Sequence, residues 1–432
     1  MASSGVPRTD PHASVLVVGA SAAGVATAEA LRRHGHVGRL TLLDGETEDP
    51  YDRPPLSKQY LAGQIGADAL VLRSTEQLAG LDAEFVLGDR AVALDVATRT
   101  VTTTSGTTRA ADHVVIATGV TPRAIPGAGL DGVHVLRTRA DADRLRAGLQ
   151  TLQGPLLVVG NGVLGSEVAQ TVASVGVDVT LAGSIRAPMC GQLGGFGSQF
   201  LAAQHEAAGI RLLGGVRAAR VRGRNGRVDT VEFVDGPSRP ADAVVVAVGS
   251  RPTTGWLEAS GLEVTDGIDC DAFGAAAPGV WAVGDVARFH HVGAGRSMRL
   301  ENRTNATEMA QVVAGNVLGR RVPYTPVPYF WTDQHGTRVQ VFGQMTSADR
   351  VTVVDGHPED GRFVAVAERA GEAVGVLGWG MPKQARIASM RLRPRYVPGA
   401  ASAAPALSAL SALSAAPAAP AVSAPESPAP VG

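Results

Sequence analysis

Three glycines stand at GxGxxG spacing in Val158-Val159-Gly160-Asn161-Gly162-Val163-Leu164-Gly165-Ser166-Glu167. A β-branched run leads in and an Ala/Val-rich helical pattern leads out, the strand–turn–helix setting that a dinucleotide pyrophosphate requires. Gly160 suits the tight turn, Gly162 lets the backbone approach a phosphate, and Gly165 lets the helix pack on its strand. Val163 and Leu164 open the helix whose free N–H groups face the anion. A near-copy comes earlier: Val15-Leu16-Val17-Val18 runs into Gly19-Ala20-Ser21-Ala22-Ala23-Gly24, with serine in place of the middle glycine. After it, Leu40-Thr41-Leu42-Leu43 reads as a second strand ending at Asp44. That is about 20 residues on from the loop, where a carboxylate meets an adenosine ribose hydroxyl. Glu46 is the second candidate for that role.

The second unit ends its second strand differently. Val177 to Ala182 runs into Gly183-Ser184-Ile185-Arg186, with no acid. An acid there selects NAD by holding the 2′-hydroxyl, whereas a small polar residue such as Ser184 with a cation such as Arg186 leaves room for a 2′-phosphate. The alternative is that Arg186 is a plain solvated side chain.

The elements that must position these loops repeat as well. Ala111-Asp112-His113-Val114-Val115-Ile116-Ala117-Thr118-Gly119-Val120-Thr121-Pro122 aligns position for position with Ala241-Asp242-Ala243-Val244-Val245-Val246-Ala247-Val248-Gly249-Ser250-Arg251-Pro252. Each unit thus opens on a glycine loop and closes on the same strand-turn, at Gly119 and at Gly249, which makes the chain an internal duplication. Three further stretches stand out. Tyr51-Asp52-Arg53-Pro54-Pro55-Leu56-Ser57-Lys58 is held out of any central strand by its prolines; a rigid loop with Arg and Lys can hold a cofactor, but composition alone favours a solvated surface turn. Gly279 to Ala287 reads as a short buried strand ending in Gly284-Asp285 before another helix. Beyond Pro323, strand-like segments at 338–342, 350–354, 363–369 and 373–378 read as a small antiparallel sheet, with a terminal helix near 382–390.

Composition narrows the class. The chain has 432 residues, enough for several domains, and a net charge of −1, which gives no electrostatic case for nucleic acid or an anionic membrane as the main ligand. Its two cysteines, Cys190 and Cys270, form neither a CxxC nor a metal-ligand spacing, so no metal site is expected and a reducing, cytoplasmic setting fits. No run approaches the ~20 apolar residues of a membrane span. Met1 to His12 lacks the apolar core of a signal peptide. Ala400 to Gly432 is an Ala/Pro/Ser tract expected to be disordered.

Taken together, Pro50 to Lys58, Ala117-Thr118-Gly119, the loop ending in Glu167, Val283-Gly284-Asp285 and Tyr329-Phe330-Trp331-Thr332-Asp333-Gln334 resemble a known family. It is the FAD-dependent ferredoxin reductases of bacterial cytochrome P450 and aromatic-ring dioxygenase systems, the putidaredoxin reductase type. The likeness runs from about Ser14 to Arg395. It implies an α/β fold of two Rossmann-like dinucleotide-binding domains, for FAD and NAD(P)H, plus a small α+β C-terminal domain. The implied division is a disordered N-terminus at 1–13, an FAD domain at 14–123 and 251–325, an NAD(P)H domain at 124–250, a C-terminal domain at 326–396 and a disordered tail at 397–432. By family position, Gly19, Asp44 or Glu46, Arg53, Lys58, Thr118, Arg123 and Asp285 would hold FAD. Lys58 and Glu167 would form a pair at the flavin's reactive edge, and Trp331 would lie near the flavin and the electron exit. One departure stands in Glu301 to Ala306, where the family usually carries an aromatic in place of Arg303.

The resemblance implies an enzyme that passes electrons from NADH or NADPH through FAD to a [2Fe–2S] ferredoxin serving a P450 or a dioxygenase. It would act as a monomer or weak dimer. For the ferredoxin-facing surface, Arg296, Arg299, Arg303, Arg320, Arg321 and Arg391 to Arg395 are candidates. The alternatives are a rubredoxin or monodehydroascorbate reductase, an NADH oxidase, or a redox-signalling flavoprotein like apoptosis-inducing factor. The flavin-side motifs contain no cysteine pair, which argues against disulfide reduction.

Overall fold

The computed structural model describes residues 10–234 and 236–399. The expected disordered tail lies outside them from residue 400 onward, as do residues 1–9 of the expected disordered N-terminus. Residues 10–13 differ from that expectation. The Val37 and Gly38 N–H groups donate to the Pro11 carbonyl, and His36 Nε2 lies 2.7 Å from the Ala13 carbonyl oxygen, so this segment is tied onto the first unit. Val397 is likewise fixed, its N–H donating to the Arg393 carbonyl at 2.7 Å.

The first unit is built on β1 (Val15–Val18), α1 (Ala22–Arg33), β2 (Leu40–Leu43), β3 (Glu84–Val86) and β4 (His113–Ile116). The second comprises β5 (Val133–His134), α2 (Arg139–Thr151), β6 (Leu156–Val159), α3 (Val163–Ser174), β7 (Val179–Gly183), α4 (Cys190–Ala207), β8 (Arg211–Gly214) and β9 (Ala243–Val246). The chain then returns to the first sheet through β10 (Ala275–Ala277) and β11 (Val280–Ala282), and α5 (Arg303–Val317) packs against α1.

Sheet order in the first unit is β10-β11-β4-β1-β2-β3, parallel except for β10 against β11. In the second it is β8-β7-β6-β9-β5, parallel throughout. All four residues of β1 and of β6 are buried, as strands covered on both faces must be. The duplication read from the sequence holds to the register. Val18 pairs with Leu43 and Ile116, and Val159 with Ala182 and Val246, which makes Asp44 and Gly183 equivalent positions. Where the chain passes between the units, Val120–Pro122 and Ser250–Pro252 pair antiparallel.

The C-terminal part is an antiparallel sheet of β12 (Tyr329–Gln334), β13 (Thr337–Gly343), β14 (Arg350–His357), β15 (Arg362–Arg369) and β16 (Glu372–Trp379), ordered β12-β13-β16-β15-β14. Helix α6 (Pro382–Ser389) closes it. Two sequence expectations are corrected. The Gly284–Val286 turn is followed by a strand, Ala287–His291, and the next helix starts only at Arg303. The Pro54-Pro55 segment is no surface turn: Leu56, Ser57 and Lys58 are buried, and Thr171 Oγ1 on α3 donates to the Ser57 carbonyl at 2.8 Å.

Candidate active site between the two glycine loops

Both glycine loops open onto one cavity of 1420 Å³. The glycines that turn each loop are sterically required. Gly19 and Gly160 have φ of +111° and +112°, and a Cβ there would stand 2.4 Å and 2.1 Å from the carbonyl oxygens of Ala117 and Ala247. Gly24 and Gly165 let each helix lie on its loop, since a Cβ would come within 1.8 Å and 1.7 Å of the Gly19 and Gly160 carbonyls. Gly162 differs. It lines the cavity, and nothing lies within 4 Å of where its Cβ would be.

In the first unit Ser21, Ala22 and Ala23 line the cavity at the start of α1. Arg53 and Arg137 line it from the side, and the Asp285 carboxyl from β11's turn. Asp285 Oδ1 is buried with no hydrogen-bond partner among the described residues, and burial pushes its pKa up to about 6, against the pull of Arg137. Burial and the neighbouring Arg53 in turn lower the pKa of Arg137. Gly119, at φ +64°, leaves the space Arg137 uses: a Cβ would meet Nη2 at 2.9 Å. A buried acceptor without a donor, two cations and the N-terminus of α1 fit a polyhydroxylated, pyrophosphate-bearing ligand such as FAD.

Asp44 and Glu46 line a small adjoining groove and have partners of their own. Asp44 Oδ2 accepts from the Ala20 N–H at 2.6 Å, while Glu46 accepts from Tyr51 Oη at 2.5 Å and Arg53 Nη2 at 2.6 Å. Asp44 is thereby set at the loop and Glu46 is committed to orienting Arg53. Thr118 lies just behind the lining, its hydroxyl donating to the Thr253 carbonyl at 3.0 Å. Arg123 is not brought to the site. It is exposed, and its Nε donates to the Ser250 carbonyl at 2.8 Å.

In the second unit Gly160, Gly162, Val163, Leu164, Ser184 and Gly249 line the same cavity, and Arg186 is exposed outside it. Between the units, Lys58 Nζ meets Glu167 Oε2 at 2.8 Å, with both side chains less than a tenth exposed. Ser57 Oγ donates to Glu167 Oε2 at 2.6 Å, and Thr332 Oγ1 to Oε1 at 2.5 Å, so the carboxylate keeps three donors in a buried position. Lys58 Nζ also donates to the Pro54 carbonyl at 2.9 Å and stands 5.5 Å from the Trp331 ring centre. Arg303 also lines the cavity, and its Nε donates to Asp52 Oδ1 at 2.7 Å.

The basic residues proposed for a partner scatter. Arg299 pairs with Asp266 and Glu301 at the cavity, while Arg320 and Arg321 follow the far end of α5, about 22 Å from its cavity end at 1.5 Å per residue. Sequence reasoning missed Ser57, Thr332, Arg137 and Asn161, whose roles arise only when distant segments meet. For Ser57, Thr332 and Asn161 the sole signal was a polar side chain inside a quoted motif, and Arg137 had none.

No cysteine lines the cavity among the described residues. Cys270 is buried, and burial and the nearby Asp271 and Asp269 raise its thiol pKa, keeping it protonated. Two dinucleotide units facing one cleft, with a buried Lys–Glu pair between them, define a pyridine-nucleotide flavoprotein oxidoreductase. Residues 13–310 match the pyridine nucleotide-disulphide oxidoreductase family and residues 329–414 the reductase C-terminal family. Relatives include the 5,5′-dehydrodivanillate O-demethylase ferredoxin reductase subunit of Sphingobium sp., 35% identical over 84% of this chain and 89% of that protein. Another is the biphenyl dioxygenase system ferredoxin–NAD(+) reductase component of Paraburkholderia xenovorans, 36% identical over 82% and 86%. The ferredoxin reductase for the CYP199A2 system from Rhodopseudomonas palustris superposes with a TM-score of 0.81 at 33% identity, over 85% of this chain and 91% of that one. The reductase in a covalent putidaredoxin reductase–putidaredoxin complex does so at 0.83 and 29%, over 89% and 94%. The chain belongs to the pyridine nucleotide-disulphide oxidoreductase family, and it is an oxidoreductase using FAD and a nicotinamide dinucleotide.

Proposed function

We propose that this protein takes electrons from NAD(P)H onto FAD and passes them singly to a [2Fe–2S] ferredoxin that serves a cytochrome P450 or a ring-hydroxylating oxygenase. The observation that carries this reading is the Lys58–Glu167 pair, buried between the two loops beside Trp331, with no cysteine among the described residues at the cavity. Bound flavin supplies the conversion between two-electron and one-electron transfer. The chain's own residues bind and orient. Ser21, Ala22, Ala23, Arg53, Arg137 and Asp285, with Asp44 at the groove, hold FAD. Gly160, Gly162, Val163 and Leu164 hold the coenzyme's pyrophosphate. Glu167 fixes the Lys58 ammonium between the two units with the Trp331 ring beside it, where the pair would set the charge next to a bound flavin. The division expected from the sequence, with the coenzyme domain at 124–250 set into an FAD domain at 14–123 and 251–325, agrees with the strand pair at Val120–Pro122 and Ser250–Pro252.

A second reading, reduction of a rubredoxin, has support in the rubredoxin–NAD(+) reductase of Pseudomonas putida, 30% identical over 79% of this chain. No described helix is long and apolar enough to cross a membrane. Purified FAD-loaded protein is given NAD(P)H and cytochrome c, with either a [2Fe–2S] ferredoxin or a rubredoxin. A rate that rises at least tenfold with ferredoxin supports the proposal. Acceleration by rubredoxin alone, or by neither, removes it.

A further inference from the structure

The acid-free end of β7 has a structural cause. Gly183 occupies the position of Asp44, but a Cβ at Gly183 would lie 2.1 Å from the amide oxygen of Asn161. Asn161 is buried and its Nδ2 donates to the Ile185 carbonyl at 2.7 Å. In the first unit the loop residue is Ala20, whose N–H is held by the Asp44 carboxylate. The two halves thus make the same loop-to-strand tie with opposite partners: an acid on the strand in one, an amide on the loop in the other. The second arrangement leaves no carboxylate to accept a ribose 2′-hydroxyl and none to repel a 2′-phosphate.

A cation stands beside that place. The Val216 N–H donates to the Gly183 carbonyl at 3.0 Å and the Gly215 N–H to the Ile185 carbonyl at 3.3 Å, which binds the segment after β8 to the end of β7. Val216, Arg217, Gly183, Ser184 and Ile185 share one wall of the cavity. Arg217 is exposed there, and its guanidinium has no hydrogen bond or ion pair with the described residues. Arg186, the cation expected from the sequence, lies outside this wall.

We propose that this chain prefers NADPH to NADH, that Arg217 with Ser184 recognises the 2′-phosphate, and that Asn161 excludes the acid that would select NADH. A phosphate dianion there would meet a guanidinium unpaired among the described residues and a hydroxyl, the donors that suit it. The inference rests on the second unit being the coenzyme site. It does not depend on which protein accepts the electrons.

Titration calorimetry on the FAD-loaded full chain with adenosine 2′,5′-bisphosphate and with 5′-AMP tests it, since the two ligands differ by the 2′-phosphate alone. The bisphosphate is expected to bind at least tenfold tighter. Arg217→Ala should reduce that affinity about tenfold and leave 5′-AMP unchanged. Arg217 is on the surface, so the variant folds as the wild type does. Asn161→Ala with Gly183→Asp, which copies the Ala20/Asp44 pair, should bring the two affinities together or reverse them, whereas Gly183→Asp alone should weaken both. Equal wild-type affinities, or an Arg217→Ala loss shared by both ligands or absent from both, would overturn the proposal. No binding of either ligand sinks the coenzyme-site reading itself. Neither result depends on a ferredoxin, so a failed ferredoxin assay is told apart from a failure here.

Discussion

Asp285 shows how a residue proposed to hold FAD can cost the fold that carries it. Its Oδ1 is buried without a donor, and its pKa is pushed from 3.8 up to about 6 by burial. The folded chain therefore holds the proton more tightly than the unfolded chain does. Between about pH 4 and 6 the folded state binds more protons, so this residue's contribution to stability falls as pH rises through that window. Above it the ionised carboxylate costs up to about 3 kcal/mol. Asp285→Asn is thus expected to raise the melting temperature of flavin-free protein at pH 7.5 and to make little difference at pH 4. The same change should weaken FAD binding, because the carboxylate's capacity to accept from hydroxyls is reduced. Melting curves of stripped protein at the two pH values, with a fluorescence titration of FAD, check both halves. A variant that melts no higher at pH 7.5 refutes the account. Asp285, Lys58 and Glu167 were legible because each sits in a recognisable motif. Arg137 was not, because what marks it is the space left by Gly119 and the proximity of Asp285, and neither is local in sequence.

At the scale of elements, the fold was largely legible. Buried parallel strands announce themselves as β-branched runs such as Val15–Val18 and Ala243–Val246, and the turns between strand and helix need glycine for reasons of space. What escaped was packing between segments. Pro54–Ser57 looks like a surface turn on composition, yet Leu56 and Ser57 are buried where α3 arrives from far along the chain to meet them. The loop before α3 also yields a clean separation of folding from binding. Gly165→Ala forces a Cβ into the Gly160 carbonyl and must lift the helix from the loop, so stability and coenzyme binding should both fall. Gly162 has extended backbone, φ −79° and ψ −163°, and open space at its Cβ. Gly162→Ala should therefore melt within about 1 °C of wild type, a surface-type change, yet bind coenzyme at least tenfold more weakly by placing a methyl where the pyrophosphate comes closest. Melting temperatures with coenzyme titrations of both variants decide the matter. Equal losses of stability in the two, or undiminished binding by Gly162→Ala, would contradict it.

Across the whole molecule, three bodies of the fold meet at a single carboxylate. Ser57 and Lys58 come from the first unit, Glu167 from the second, and Thr332 from the C-terminal sheet. The pair thus joins the bodies, and the role proposed for it at the flavin's edge is a second, separable job. Removing one partner of a buried ion pair leaves the other uncompensated and costs about 3–5 kcal/mol, while replacing both with neutral groups of similar shape costs far less. Lys58→Met should accordingly lower the melting temperature by several degrees. Adding Glu167→Gln should recover most of that loss, since the amide oxygen can still accept from Thr332 or Ser57. Flavin reduction by NAD(P)H should behave otherwise. With the ammonium gone, both the single and the double variant should be slower than wild type by tenfold or more in stopped-flow absorbance, with FAD retained. Recovery of rate alongside stability in the double variant would mean that the pair acts only as a structural tie. Continued slow reduction in a double variant that has recovered most of its stability separates the two jobs and assigns the ammonium to the redox centre.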